Sequence, residues 1–330
     1  MKRAVLTLCA VAVVAAIGGY STLQSPYLGF GTEAILEIPR GAGTRQIARQ
    51  LAEAGIVRSE WHFLAVRLLQ PGRTLQAGEY QFLKPATPFD VYSRIARGDI
   101  FYYEVTFPEG SNLFDMAAIL EERRILPAKD FIAAARDPAQ IRDLAPQAPT
   151  LEGYLFPATY RLTRHTTARQ LTRDMTTRFR RAWSELAAKA PVHSTVTLAS
   201  LVEKETAVGE ERPLVAAVFR NRLDRGMKLD CDPTTIYAAL LDGRYRGTIY
   251  RSDLDSRNPY NTYQHPGLPP GPIANPGMKA LAAALQPAEA DYLFFVARPD
   301  GSGSHVFSAG VDAHNKAVTE YRRGQRKANH

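Results

Sequence analysis

The most apolar stretch of the chain comes first. Lys2 and Arg3 precede an uncharged segment from Ala4 to Thr32, whose strongly apolar part runs from Ala4 to Ile17 and on through Gly18, Gly19 and Tyr20 to Leu23. About 20 apolar residues cross a bilayer, so the run predicts one transmembrane helix, with Tyr20 and Tyr27 suited to the interface. Basic residues ahead of the span keep the N-terminus in the cytoplasm and send the rest of the chain outside. A signal peptide cut near Ala16 or Gly18 is the competing reading. Both export the remaining residues.

Beyond this segment the pattern repeats. Leu36–Arg67 aligns with Val105–Arg136 at an offset of 69 residues, with eight of 32 positions identical, among them Pro39/Pro108, Gly41/Gly110, Leu51/Leu120 and Ile56/Ile125. Each copy begins as a short strand (35–38 and 103–107), turns at Pro-x-Gly and enters an amphipathic helix. Ile47, Ala48 and Leu51 line that helix in the first copy; Met116, Ala117 and Leu120 do so in the second. Between the copies, 77–83 reads as a strand and 88–96 as a short helix. Such small α+β units are similar to the LysM-like modules of bacterial wall proteins, and serve either to bind glycan or as spacers.

A helix is expected over 195–208, capped by Ser194 or Thr195. With Leu198 at zero and about 100° per residue, Leu201, Val202 and Glu205 fall at about −60°, +40° and −20°, while Glu203 falls at about 140° and Lys204 at about −120°. Glu205 thus sits in the apolar stripe and Glu203 on the wet side. A carboxylate in such a stripe is costly, and burial raises its pKa towards neutrality, as a general acid needs. The structural alternative is an ion pair with Arg212 or Arg222. Further helices read over 213–225, from Asp232 (as N-cap before Pro233) to Leu241, from Asn275 (as cap) to Leu285, and over 312–323. A hairpin joins 292–297 to 305–307. The Pro- and Gly-rich loop at 267–277 suits a rigid platform for sugar rings.

Composition narrows the chemistry. The 330 residues are 45% hydrophobic and 22% charged, which excludes wholesale disorder. The net charge of +8 suits an anionic polymer or a membrane surface and gives no nucleic-acid signature. The two cysteines, Cys9 within the apolar run and Cys231, form neither a zinc site nor a disulfide framework. His305 and His314 are nine apart, which is no metal-ligand spacing. No phosphate loop, nucleotide motif or Ser-His-Asp arrangement occurs, so neither cofactor nor metal is expected.

Several motifs then occur in one order: LASLVEKET (198–206), VFRNRLDRGM (218–227), DPTTIY (232–237), NPYNTY (258–263), GLPPGPIANPG (267–277), YLFFVA (292–297) and HNKAV (314–318). Together they resemble the endolytic murein transglycosylase family, strongly over about 150–321 and in layout before that. The resemblance implies a membrane-anchored enzyme on the outer side of the cytoplasmic membrane. Such an enzyme cleaves the β-1,4 bond between N-acetylmuramic acid and N-acetylglucosamine in nascent peptidoglycan, leaves a 1,6-anhydro end, and stops strand growth beside the wall-synthesis enzymes. It implies that the second Glu of EKET, Glu205, is the catalytic acid and base. Two positions depart from the family pattern. Asp230-Cys231-Asp232 stands where Gln-Thr-Asp or Gln-Ser-Asp is usual, and Ala158 follows LEGYLFP where Asp is usual.

The expected fold class is therefore α+β: an N-terminal transmembrane helix (1–31), a LysM-like module (32–100), a second repeat-like segment (101–149) and a mixed α/β catalytic domain (150–330). Tyr260, Asn261 and Tyr263 are the candidates for positioning the sugar, and Glu152 is a further candidate for the cleft. Near Glu205 in sequence the other acids are Glu203, Glu210 and Glu211, with Asp230 and Asp232 on a separate loop. A single carboxylate predicts that the substrate's own 6-hydroxyl is the nucleophile. The rival readings are a non-enzymatic, membrane-anchored wall-binding scaffold and a lysozyme-like hydrolase with a second carboxylate.

Overall fold

The computed structural model describes residues 2–328, and Met1, Asn329 and His330 lie outside the described residues. The chain folds as two compact units, Met1–Tyr103 and Glu104–His330, in a mixed α+β architecture.

The first unit opens with α1 (Lys2–Gln24), an unbroken helix passing through Gly18 and Gly19. Its Leu6–Gln24 portion has a mean hydropathy of 1.9 and is only 6% buried. There follow β1 (Ala34–Ile38), α2 (Thr44–Glu53), α3 (Glu60–Leu69), β2 (Gly78–Phe82) and α4 (Pro88–Arg97). β1 and β2 pair antiparallel, Ala34 opposite Phe82 and Ile38 opposite Gly78. Alternation along β1 buries Ala34, Leu36 and Ile38 against Ile47, Leu51, Phe63, Val91 and Ile95 from the helices. The Thr87 hydroxyl accepts from the Asp90 amide, and the Asp90 carboxylate accepts from the Thr87 amide. This capping box, with Pro88 at the first helical position, explains where α4 begins.

The second unit contains β3 (Tyr103–Thr106, beginning at the boundary), α5 (Leu113–Glu122), α6 (Ala128–Ala135), β4 (Thr159–Leu162), α7 (Ala168–Glu185), α8 (Val192–Glu205), α9 (Arg212–Asp224), α10 (Asp232–Leu241), α11 (Arg251–Leu254), α12 (Met278–Leu285), β5 (Phe294–Ala297), β6 (His305–Ser308) and α13 (Val311–Ala328). β3 pairs with β4, and β5 pairs with β6 antiparallel as a hairpin. The core is helical. α8 is its central element, with Val196, Ala199, Leu201 and Val202 fully buried, and it packs against α9, α10 and α12.

The internal repeat is structural as well as sequential. Adding the 69-residue offset to α2 gives 113–122, the bounds of α5. Ile47, Ala48 and Leu51 are buried in one copy, and Met116, Ala117 and Leu120 in the other. Gly41 and Gly110 take the same left-handed backbone, φ 80° and 76°. Proline followed two residues later by glycine therefore makes the same strand-to-helix turn twice.

Four sequence expectations about helix ends need correction. α8 starts at Val192 and stops at Glu205, so it neither begins at Thr195 nor reaches Val208. Thr195 is one turn inside the helix and its hydroxyl donates back to the Pro191 carbonyl, 2.8 Å. Asp232 is the first residue of α10 rather than its cap, a position held by Cys231. α12 is preceded by Gly277, and Asn275 caps nothing because its amide is spent inside the core.

Candidate active site

The site is built on the C-terminal end of α8. Glu205 is the last helical residue, and the backbone turns extended at Thr206, φ −139° and ψ 132°. Its half-buried carboxyl sits at the end of the helix where the dipole also disfavours negative charge. Burial pushes its pKa up to about 7. A hydrogen bond from Cys231 opposes that rise, the charge of Asp232 adds to it, and His305 and Arg222 pull it back. The carboxyl is thus poised to hold a proton near neutral pH and release it.

Two cavities of about 390 Å³ each meet at Glu205. One is lined by Glu109, Gly110, Glu203, Lys204, Ala207 and Arg212. The other is lined by Phe219, Arg222, Asp230, Asp232, Tyr263, Phe294 and His314. Arg222 organises the second wall. It donates from Nε to the Leu293 carbonyl at 2.7 Å and from Nη1 to the Leu229 carbonyl at 2.9 Å, and it lies over the Phe294 ring at 5.2 Å. The His314 ring stacks on Phe294 itself, centroids 4.9 Å apart, and burial followed by the charge of Arg222 lowers its pKa. A chain-like substrate with hydroxyls and apolar ring faces fits such a lining on both sides of one proton donor.

Glu203 does different work. Its side chain is only 5% exposed and pairs with Arg212, Nη2 to Oε1 2.9 Å. Its other oxygen accepts from the Gly277 amide at 2.9 Å, at the start of α12. The expectation that Glu203 faces water is therefore corrected. The wheel angle is right for α8 alone, but α9 and α12 cover that side of it. The structural alternative, an ion pair of Glu205 with Arg212 or Arg222, is not formed: Arg212 takes Glu203, and Arg222 takes Asp230 at 3.3 Å.

A family model for the YceG-like family matches residues 36–320. The chain belongs to the YceG-like family. It is 32% identical over 324 residues to a Bacillus subtilis protein named endolytic murein transglycosylase, covering 92% of this chain and 89% of that protein. A Streptococcus pneumoniae protein of the same name is 29% identical over 317 residues, covering 86% of this chain and 57% of that protein. The crystal structure of a YceG-like protein from Listeria monocytogenes superposes with a TM-score of 0.55 at 30% identity, over 86% of this chain and 98% of that one.

Within this YceG-like chain, the sequence-based candidates are placed as follows. Tyr263 lines the same cavity as Glu205, and its phenol donates to Asp232 Oδ1 at 2.7 Å. Tyr260 lines neither cavity; its half-buried ring packs 5.1 Å from Tyr237. Asn261 is fully buried. Its amide nitrogen donates to the carbonyls of Asp253, Leu254 and Ser256, and its oxygen accepts from the Thr235 hydroxyl and the Tyr263 amide. Those bonds occupy the whole amide, so Asn261 shapes the loop that presents Tyr263.

Glu152 is 1% exposed and lies away from both cavities. It accepts from the Leu113 amide at 2.9 Å, the Tyr237 phenol at 3.0 Å and Asn275 Nδ2 at 2.7 Å. Burial raises its pKa to about 8, against the pull of those donors. Asn275 completes this centre, accepting from the Gly153 and Leu155 amides at 2.8 and 2.9 Å and donating to the Ser111 carbonyl at 3.0 Å. Gly153 has φ 86°, and a Cβ there would lie 2.4 Å from Pro272, so the turn admits only glycine. The loop at 267–277 is thereby bolted to the core, with Ile273 and Ala274 buried.

Sequence reasoning gave Cys231, Arg222, Phe294 and His314 no place in the cleft, and read Asp232 as a helix cap and only distantly as an acid near Glu205. The available signal was the departure at 230–231. Cys231 is 1% exposed, and its thiol, held protonated by burial and by the neighbouring Glu205, donates to that carboxylate. Asp230 adopts φ 48°, a left-handed conformation that aspartate tolerates better than most residues. Ala158 uses only its backbone, accepting from the Phe107 amide at 3.0 Å.

Proposed function

We propose that the chain is an endolytic murein transglycosylase in which Glu205 serves in turn as general acid and general base. The observation that carries the reading is Glu205 itself: one carboxyl with a pKa near 7, at the meeting point of two cavities. Glu205 protonates the glycosidic oxygen between N-acetylmuramic acid and N-acetylglucosamine, and the bond from that oxygen to muramic C1 breaks. The departing sugar leaves with a free 4-hydroxyl. The muramic 6-hydroxyl oxygen then bonds to C1 and its proton passes to Glu205, which restores the acid and leaves a 1,6-anhydro end. No water is consumed. Tyr263, Phe294 and His314 offer ring faces and polar groups to the sugars on one side of the cut, and Lys204 and Arg212 line the other side.

A second reading rests on a specific observation. Asp232 shares the cavity with Glu205 and could activate water, which would make the enzyme a lysozyme-like hydrolase. Digestion of purified glycan strands in oxygen-18 water separates the two. Unlabelled ends one water lighter than a reducing end support the transglycosylase, and labelled reducing ends overturn it. A protein that binds strands without cutting them is the wall-binding scaffold.

The location follows from α1. Its exposed apolar surface is long enough for an anchor, and the packing of Leu23 and Tyr20 into the first unit supports a retained helix, with Lys2 on the cytoplasmic side and the catalytic unit beyond the membrane. The strand–helix–helix–strand–helix order of the first unit is the basis for reading it as LysM-like, as glycan contact or spacer. Termination of nascent strands would bring the enzyme beside wall-synthesis enzymes, and cross-linking in cells tests that partnership.

A further inference from the structure

α3 is apolar on two sides. Phe63 and Val66 point into the core of the first unit and are fully buried. Trp61, Ala65 and Leu68, at i, i+4 and i+7, form a second stripe on another side. Within it Trp61 is 64% exposed and Leu68 81%, with Leu69 beside them at 55%. A soluble helix needs only one apolar stripe.

The second stripe does not stand alone. Together with the last two turns of α1 it walls a groove of about 720 Å³, whose α1 side includes Ile17 and Tyr20. The end of α1 is fixed to the same unit: Leu23 is 7% exposed within the core, and the Tyr20 ring lies 6.0 Å from Phe89. Leu6–Gln24 is 19 residues, about 28 Å of helix at 1.5 Å per residue, against about 30 Å of bilayer hydrocarbon. A span of that length leaves no slack. Residues 16–23 are needed to complete it, and the groove they share with α3 therefore lies at the depth of the emerging leaflet.

We propose that Trp61, Ala65, Leu68 and Leu69 of α3 seat in the phospholipid leaflet from which α1 emerges, so that the first unit is partly embedded. The occupant of the groove is lipid acyl chain, because the surface is continuous with a helix already apolar enough to cross the membrane and ends in an amphipathic tryptophan. The proposal rests on the retained-anchor reading of α1. Its consequence is a first unit held against the membrane by two elements, fixed in tilt instead of swinging on one helix.

The test uses the full chain in phosphatidylcholine–phosphatidylglycerol vesicles containing phosphatidylcholine brominated near the upper part of its acyl chains. The chain has two tryptophans, and Trp183 is 7% exposed inside the second unit, so bromine should reach Trp61 alone. The expected result is a quenched component of the emission that disappears in Trp61→Phe. A chain that resists alkaline carbonate extraction yet shows no quenching that Trp61→Phe removes overturns the proposal and leaves the anchor intact. The same result with dimers in the membrane would assign the groove to a second copy. A chain that carbonate releases overturns the anchor reading and the proposal together.

Discussion

Glu203 and Arg212 form a nearly dry ion pair, 2.9 Å between Oε1 and Nη2, while Glu205, two residues further on, faces cavities on both sides. Glu203 bridges the starts of α9 and α12, since its second oxygen accepts from the Gly277 amide. The two glutamates of one short motif thus differ in setting: Glu203 is held in an ion pair, and Glu205 opens to both cavities.

That division predicts opposite phenotypes. Glu205→Gln should lower cleavage of glycan strands by ~10²–10⁴-fold or more with an unchanged melting curve, since an amide of the same size cannot deliver the proton. Glu203→Gln should retain catalytic capacity per folded molecule but lose about 3–5 kcal/mol of stability in urea denaturation, because Arg212 is left buried without its counter-charge. Equal stability losses from the two substitutions would contradict the assignment.

The pKa of Glu205 fixes a pH limb. The acid must be protonated for the first step, so cleavage is full below pH 7 and falls ~tenfold per unit above it. A hydroxyl donates a stronger hydrogen bond than a thiol and favours the carboxylate more. Cys231→Ser should therefore move the limb to lower pH, read from kcat/KM against pH, which reports the free enzyme. An unmoved limb would show that the donor at 231 does not tune the acid.

Asp232→Asn tests for a second catalytic carboxylate. With Glu205 as the only proton-transfer group, the variant still turns over and its ends remain 1,6-anhydro by mass. Its limb above neutral pH shifts to lower pH, since the charge of Asp232 helps to raise Glu205. Loss of turnover comparable to Glu205→Gln would favour the hydrolase.

Glu152 predicts a stability slope. Its folded pKa, about 8, lies above the ordinary value of 4.5, so the native state holds a proton that the unfolded chain has released. The stabilisation is complete below pH 4.5, declines as pH rises, and is gone above about pH 8. The slope is at most about 1.4 kcal/mol per pH unit. Glu152→Gln, which cannot ionise, should flatten the stability profile over that window in urea titrations. A slope that survives in the variant would place the titrating group elsewhere.

What the sequence determined by itself is what neighbours along the chain decide. Hydropathy marked α1, the 69-residue offset predicted both copies of the strand–turn–helix unit, and the phase of α8 separated Glu205 from the rest of its motif. These are local signals, since the period of a helix or strand and the backbone freedom of Gly41 and Gly110 do not depend on distant residues. The tertiary structure decided the partners. Glu203 looked solvated because a helical wheel has no knowledge of α9 and α12. Asn275 looked like a cap because its four bonds go to residues 111 to 155, more than a hundred positions away. Asn261 looked like a sugar ligand until its amide was found fully spent, and Cys231 was only a departure from the family pattern until folding set its thiol against Glu205. Hydrogen bonding and desolvation depend on distances in space, and those exist only once the core has brought remote segments together.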